Sequence, residues 1–105
     1  MTSFRDLLQQ TKSRIRETSA ADAQERLGQA VFLDVREADE YEQGTLPGAV
    51  HIPRGHLESQ IESRVADRDA SIVVYCAGGS RSAFAAETLG QLGYTDVVSM
   101  AGVLL

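Results

Sequence analysis

Apolar residues along the chain form short continuous runs that alternate with stripes of helical spacing. The runs are rich in β-branched residues, which is typical of buried strands. They lie at residues 15–18, 30–35, 50–53, 71–75 and 96–100. Because strands that alternate with helices build layered folds, the sequence predicts an α/β domain with a mainly parallel central sheet and helices on both faces.

The stripes of helical spacing predict helices between these runs. The stripes occur in an N-terminal helix, treated as an extension over residues 1–14, and in three later segments. Ser19 is a good N-cap for the second helix, which is predicted to end at Gly28. One or two helical turns are predicted over 38–43. The apolar faces of the helices are formed by Phe4, Leu7, Leu8 and Ile15, by Ala20, Ala23 and Leu27, by Leu57, Ile61 and Val65, and by Ala85, Leu89 and Leu92.

The run at 71–75 leads directly into the only cysteine, a loop of small residues and an arginine five positions after the sulfur. The loop reads Cys76-Ala77-Gly78-Gly79-Ser80-Arg81-Ser82. Two glycines allow successive backbone N–H groups to point inward, and the following helix adds its positive N-terminal end. Such surroundings favour a thiolate, which is the nucleophilic form of cysteine. A small buried hydrophobic residue remains the alternative interpretation.

Composition narrows the classes of function. The chain has 105 residues, 43% of them hydrophobic and 24% charged, as in an ordinary single domain. A net charge of −5 argues against general nucleic-acid binding. No apolar run approaches the roughly 20 residues of a membrane span, and the N-terminus has no signal-like region. One cysteine and two histidines give no zinc-ligand spacing. We expect a cytoplasmic monomer without metal and without membrane contact.

Three ordered motifs carry a resemblance to a known family. They are Asp34-Val35-Arg36 with Glu40-Tyr41, Gly44 and residues 46–53; the loop from Cys76 to Arg81; and residues 93–97 with Met100-Ala101-Gly102. Together they resemble the rhodanese family over about residues 15–102. The match is similar to single rhodanese modules that occur alone or fused to ubiquitin-like-activating adenylyltransferases. One rhodanese-like domain over residues 1–105 is therefore predicted.

The resemblance implies a sulfurtransferase of the thiosulfate type that works through a Cys76 persulfide. The expected partners are a small sulfur donor such as thiosulfate and, in the cell, a protein acceptor or carrier of sulfur; no cofactor is implied. Cys76 and Arg81 are the implied catalytic residues. The implied substrate-binding residues are Ala77, Gly78, Gly79, Ser80, Ser82 and Arg36. Arg81 would either bind the sulfonate end of the donor or hold the shape of the loop.

Several residues have alternative interpretations. Arg36 pairs with Asp34 or Glu40 if its role is structural, and Arg54 is either a site residue or a surface arginine. Ser80 and Ser82 are predicted to cap the helix, although their hydroxyls could face the sulfur. His51 and His56 are predicted to be packing or surface residues. The acidic run Glu37, Asp39, Glu40 and Glu42 is predicted to be a solvated face.

The sequence departs from the family at two places. Thr45 stands where histidine is common, and little chemical effect is expected. The family commonly continues from here into a C-terminal helix, whereas Val103-Leu104-Leu105 follow Gly102. We expect either a truncated form or a domain that the N-terminal helix covers instead. Two other classes of function stay open. One is a phosphatase or arsenate reductase on the same fold, whose loop would place the arginine six positions after the cysteine. The other is a binding or regulatory module without activity.

Overall fold

The computed structural model describes residues 2–102. Within this range five strands form one sheet in which every pair is parallel, in the order β1-β5-β4-β2-β3. The strands are β1 (Glu17–Ser19), β2 (Val31–Asp34), β3 (Val50–His51), β4 (Ser71–Tyr75) and β5 (Asp96–Ala101). The helices are α1 (Phe4–Lys12), α2 (Ala20–Gln24), α3 (Ala38–Glu42), α4 (Leu57–Arg64) and α5 (Ser80–Gln91). The predicted α/β fold with a parallel sheet is confirmed.

Side chains alternate between the two faces of the sheet, as the strand period requires. Leu33 of β2 and Val74 of β4 belong to the core that α4 and α5 cover, together with Ile61 and Leu89 from those helices. The opposite face is covered by α2 and by the loop after α3. Its core comprises Phe32, Val73, Tyr75, Val98, Met100 and Ala23 of α2. Both faces of the central strands are thus buried, which explains why residues 30–35 and 71–75 are almost continuously apolar.

Some predicted boundaries are wrong. The first strand begins at Glu17 rather than residue 15, and the strand predicted over 50–53 is reduced to Val50–His51. Ser19 caps α2 through its hydroxyl, as predicted, but that helix ends at Gln24, four residues before Gly28. Leu27 is 39% exposed. Because much of its apolar side chain stays exposed, packing does little to favour continuing the helix through this segment.

The N-terminal helix α1 packs against α5. The Ser3 hydroxyl accepts from the backbone of Asp6 and starts the helix. Phe4 and Leu7 remain 65% and 46% exposed, whereas Thr11 is buried, so the predicted apolar face is covered only in part. Ile15 lies beyond the end of α1. No helix among residues 2–102 has the length and hydropathy needed to cross a membrane. The expectation about a C-terminal helix concerns residues after Gly102, which lie outside those described.

Candidate active site

Cys76 follows directly after β4, at the carboxyl end of the central strand of the sheet. In parallel sheets this edge is where ligands bind. The residue is only 1% exposed and packs at the top of the core between the sheet and the helices α4 and α5. Ala77 and Gly78 are exposed, so the loop passes over the sulfur on its solvent side.

The loop turns backbone N–H groups toward the sulfur, as the sequence predicts. Gly79 donates its backbone N–H to Cys76 Sγ at 3.1 Å, and Ser82 donates at 3.3 Å. Gly79 adopts a left-handed conformation with φ of 97°. A Cβ at this position would lie 3.2 Å from the backbone nitrogen of Gly102. Glycine is therefore required here both for its backbone conformation and for the close approach of the end of β5.

The loop changes the acidity of the thiol. Burial raises the pKa of Cys76, because it disfavours the charged form. Hydrogen bonds from the Ser82 hydroxyl and from the backbone of Ser82, Gly79 and Gly78 lower it, and together they outweigh burial. The net pKa lies below the ordinary value for cysteine. The arrangement therefore favours the thiolate form of Cys76, which supports its predicted role as a nucleophile over that of an inert buried residue.

The side chain of Ser82 faces the sulfur instead of capping α5. The N-cap residue of α5 is Gly79, which has no side chain to cap with. Ser82 is fully buried, and its Oγ accepts from the Cys76 thiol at 3.4 Å. Ser99 Oγ donates to the same Ser82 oxygen at 2.9 Å. Ser99 is not among the site residues predicted from the sequence, although a polar residue inside an apolar strand run is a signal that could identify it. Ser80, the first residue of α5, is half-buried.

Arg81 forms a two-pronged ion pair with Glu40 of α3. Its Nη1 lies 2.6 Å from Oε1 and its Nη2 lies 3.0 Å from Oε2. The Arg81 hydrogen bond lowers the pKa of Glu40 to about 2, so the carboxylate stays ionised at neutral pH. The prediction that the acidic run forms a solvated face is therefore wrong for Glu40. This geometry favours the second predicted role of Arg81, holding the shape of the loop, because Nη1 and Nη2 are each already bonded to Glu40.

Arg36 belongs to a buried network behind the loop. Its guanidinium binds the fully buried Asp34 at 2.8 Å and the carbonyl of Gly44 at 2.7 Å. Thr45 Oγ1 donates to Asp34 at 3.0 Å and lies 2.7 Å from the Tyr75 hydroxyl. Nε and Nη2 of Arg36 are used in this way, which favours its structural interpretation, and contact with a substrate stays a prediction. Thr45, expected to have little effect, instead joins the ends of β2 and β4.

The remaining predicted residues lie around the site without reaching the sulfur. Arg54 donates to Glu58 at 3.0 Å and to Thr88 at 3.0 Å. His51 stacks on Tyr41 and lies 2.8 Å from the carbonyl of Arg36, so it is a packing residue, and His56 is exposed. Within residues 2–102 no cluster of three or more His, Cys, Asp or Glu side chains could hold a metal ion.

A loop of backbone donors around a cysteine at the end of a parallel strand is typical of an anion-binding cysteine site. The family model described as Rhodanese-like domain matches residues 19–103. The chain belongs to the rhodanese-like domain family, which confirms the resemblance.

Several individual proteins are similar to this chain in sequence or in structure. The Escherichia coli protein named thiosulfate sulfurtransferase PspE is 35% identical over 72 residues, which are 69% of each chain. This chain covers 58% of the length of a Schizosaccharomyces pombe relative and 36% of the length of a Bacillus subtilis relative. A Rhodopseudomonas palustris protein of unknown function, described as a possible tyrosine phosphatase, superposes with a TM-score of 0.88 at 30% identity, over 98% of this chain and 86% of its own. The human single-domain sulfurtransferase TSTD1 superposes with a TM-score of 0.74 at 29% identity, over 84% of this chain and 90% of its own.

Proposed function

We propose that this protein is a sulfurtransferase that accepts sulfane sulfur on Cys76 and passes it to a thiophilic acceptor. The observation that carries the proposal is the pair of backbone N–H groups, from Gly79 and Ser82, that point at Cys76 Sγ. Membership of the rhodanese-like family supports it, as do relatives named thiosulfate sulfurtransferase. Thiosulfate is the proposed test donor, and a small thiol or a carrier protein is the proposed class of acceptor.

The reaction divides into two transfers of one sulfur atom. In the first, the Cys76 thiolate attacks the outer sulfur of thiosulfate, a new S–S bond forms, and the S–S bond of the donor breaks. Sulfite leaves with the bonding electron pair, and Cys76 carries an anionic persulfide. In the second, cyanide or a thiolate attacks the outer persulfide sulfur and leaves as thiocyanate or as a new persulfide. The thiolate of Cys76 is then restored, as covalent catalysis requires.

The loop stabilises the negative charge at each stage of this sequence. Backbone donors fixed before the reaction lose little energy in reorienting when charge develops. Arg81 supports the loop through Glu40, and its charge also interacts with Cys76. Because Cys76 is almost fully buried, the terminal sulfur of a persulfide would extend from the core toward the exposed side of the loop at Ala77 and Gly78.

The decisive experiment is incubation of the protein with thiosulfate followed by intact mass measurement. A gain of one sulfur atom that cyanide removes, with thiocyanate formed in equal amount, is the expected result. Cys76→Ser should show neither the gain in mass nor turnover, because a serine hydroxyl is far less ionised and forms no persulfide. An unchanged mass in the wild-type protein would instead favour a binding or regulatory module.

A phosphatase is the second candidate, favoured by the description of the Rhodopseudomonas palustris neighbour. Here four residues separate Cys76 from Arg81, one fewer than in the cysteine phosphatases that the site resembles. Part of the fork of Arg81 is also occupied by Glu40. We therefore expect no appreciable hydrolysis of an aryl phosphate. Hydrolysis that disappears in Cys76→Ser would replace the sulfurtransferase proposal with this one.

A further inference from the structure

Ser99 is a buried polar residue in the middle of an otherwise apolar strand. It is fully buried in β5, where its neighbours Val98 and Met100 point into the core on the α2 side of the sheet. Since successive residues of a strand face opposite sides, the Ser99 side chain points toward α5 and the cysteine loop. A buried hydroxyl without a partner is costly. The position therefore requires a polar contact, and the structure supplies one at Ser82.

The contacts of Ser82 Oγ show what this hydroxyl can do. It lies 3.4 Å from Cys76 Sγ, 2.9 Å from Ser99 Oγ and 3.5 Å from the carbonyl oxygen of Met100. A hydroxyl has one proton to donate and two lone pairs that accept. Ser99 donates to one lone pair. The single Ser82 proton then has two acceptors in reach, the Met100 carbonyl and the sulfur.

The protonation state of the sulfur decides between these two acceptors. When Cys76 is a thiol, it donates to Ser82, and Ser82 donates to the Met100 carbonyl. When Cys76 is a thiolate, its lone pairs are charged and the Ser82 proton turns toward the sulfur. The bond that Ser99 donates to Ser82 polarises the Ser82 hydroxyl and makes it a better donor. The benefit is larger for the thiolate, because bonds to charged acceptors are stronger.

We propose that Ser99 is a positioning residue that orients and polarises the Ser82 hydroxyl so that it stabilises ionised Cys76. The inference rests on the proposed function in that it concerns the same nucleophile. It extends the site from the loop to the neighbouring strand β5. Two elements then stabilise the sulfur. The loop donates hydrogen bonds to it directly, and β5 acts on it indirectly, because Ser99 donates to the Ser82 hydroxyl.

The charged groups near the sulfur lie on other elements and are untouched by a change at Ser99. Arg81 on α5 interacts electrostatically with Cys76, and it is paired with Glu40 on α3. At the end of β2, Asp34 and Arg36 bind each other. Substitution of Ser99 therefore leaves these ion pairs in place. A change in the titration of Cys76 would report the hydroxyl chain.

The test compares Ser99→Thr with Ser99→Val, two variants of nearly equal shape that differ in one hydroxyl. The readout is the pH dependence of Cys76 alkylation by iodoacetamide. It is specific because the chain has a single cysteine. Restricted access of the reagent to the buried sulfur lowers the rate of alkylation at every pH, whereas the midpoint of the profile reports the pKa of Cys76. We expect Ser99→Thr to keep the wild-type midpoint and Ser99→Val to raise it by about half a pH unit to one unit, the size of one lost hydrogen bond.

Equal midpoints for Ser99→Thr and Ser99→Val would overturn the proposal and leave Ser99 a structural residue. Circular dichroism and thermal unfolding identify a variant that does not fold. In that case Ser99→Ala, which removes the hydroxyl without adding volume, replaces Ser99→Val with the same expected shift. Thiosulfate turnover of the wild-type protein is measured separately. If Ser99→Val shifts the midpoint but the wild-type protein transfers no sulfur, the sulfurtransferase proposal is refuted and the role of Ser99 stands. If the wild-type protein transfers sulfur but the midpoints are equal, the role of Ser99 is refuted and the sulfurtransferase proposal stands.

Discussion

The two glycines of the active-site loop offer a direct test of how the loop is built. Gly79 has φ of 97°, and a Cβ there would lie 3.2 Å from the Gly102 backbone nitrogen. A Cβ at Gly78 would meet no atom within 4 Å, and its φ is not positive. Gly79→Ala therefore combines an unfavourable backbone conformation with a contact that backbone atoms cannot relieve by rotating. Gly78→Ala carries neither penalty and is the matched control.

The strain at Gly79→Ala should cost about 1–3 kcal/mol of unfolding free energy. At about 5 °C for each kcal/mol in a domain of this size, the melting temperature falls by roughly 5–15 °C. The same change displaces the N–H that Gly79 donates to Cys76 Sγ. Thiosulfate turnover, measured below the melting transition, should therefore fall about tenfold or more. Gly78→Ala should stay near wild type in both measurements. Equal melting temperatures and equal turnover for the two variants would refute this account of the loop.

Three further predictions follow from the polar contacts of the site. Glu40→Gln removes the counter-charge of Arg81 and should lower turnover about tenfold, whereas Glu42→Gln, exposed on the same helix, should leave turnover unchanged. Asp34→Asn leaves a buried guanidinium without its partner and should lower the unfolding free energy by about 3–5 kcal/mol in chemical denaturation; a loss below 1 kcal/mol would contradict it. Because the pKa of Cys76 is lowered, alkylation should reach half its maximal rate below the ordinary value of 9.0 and decline on the acid side, and a midpoint at or above 9.0 would show that burial dominates.

The sequence predicts the central strands well because their burial is visible locally. The strand Ser71–Tyr75 has the predicted bounds, since a β-branched run is followed by small residues that cannot continue it. The position of Cys76 at the end of that strand follows from the same pattern. Edge strands and short helices are less certain, because their bounds depend on contacts with distant residues. The end of α2 at Gln24 illustrates this, since nothing in the local stripe reveals that Leu27 stays exposed.

The contacts that complete the site join residues far apart in the sequence. Glu40 and Arg81 are 41 positions apart, and Ser82 and Ser99 are 17 apart. An acidic residue on a short helix is compatible with solvent exposure as well as with an ion pair, and only the packing of α3 beside the loop decides between them. A serine in a strand is equally ambiguous until the direction of its side chain is known. Residue types and spacing therefore locate the nucleophile but not the groups that orient its neighbours.

The buried network at the end of β2 and the active-site loop are connected through α3. Asp34 binds Arg36 just before this helix and Thr45 just after it, so both ends of the helix are held at the carboxyl end of the strand. The helix carries Glu40, and Glu40 binds the two terminal nitrogens, Nη1 and Nη2, of the Arg81 guanidinium. The orientation of Arg81 is thus determined by a carboxylate on another element, which bonds the loop at the Arg81 side chain. The loop alone supplies the backbone donors, whereas the shape in which they are held depends on the packing of α3 against the sheet.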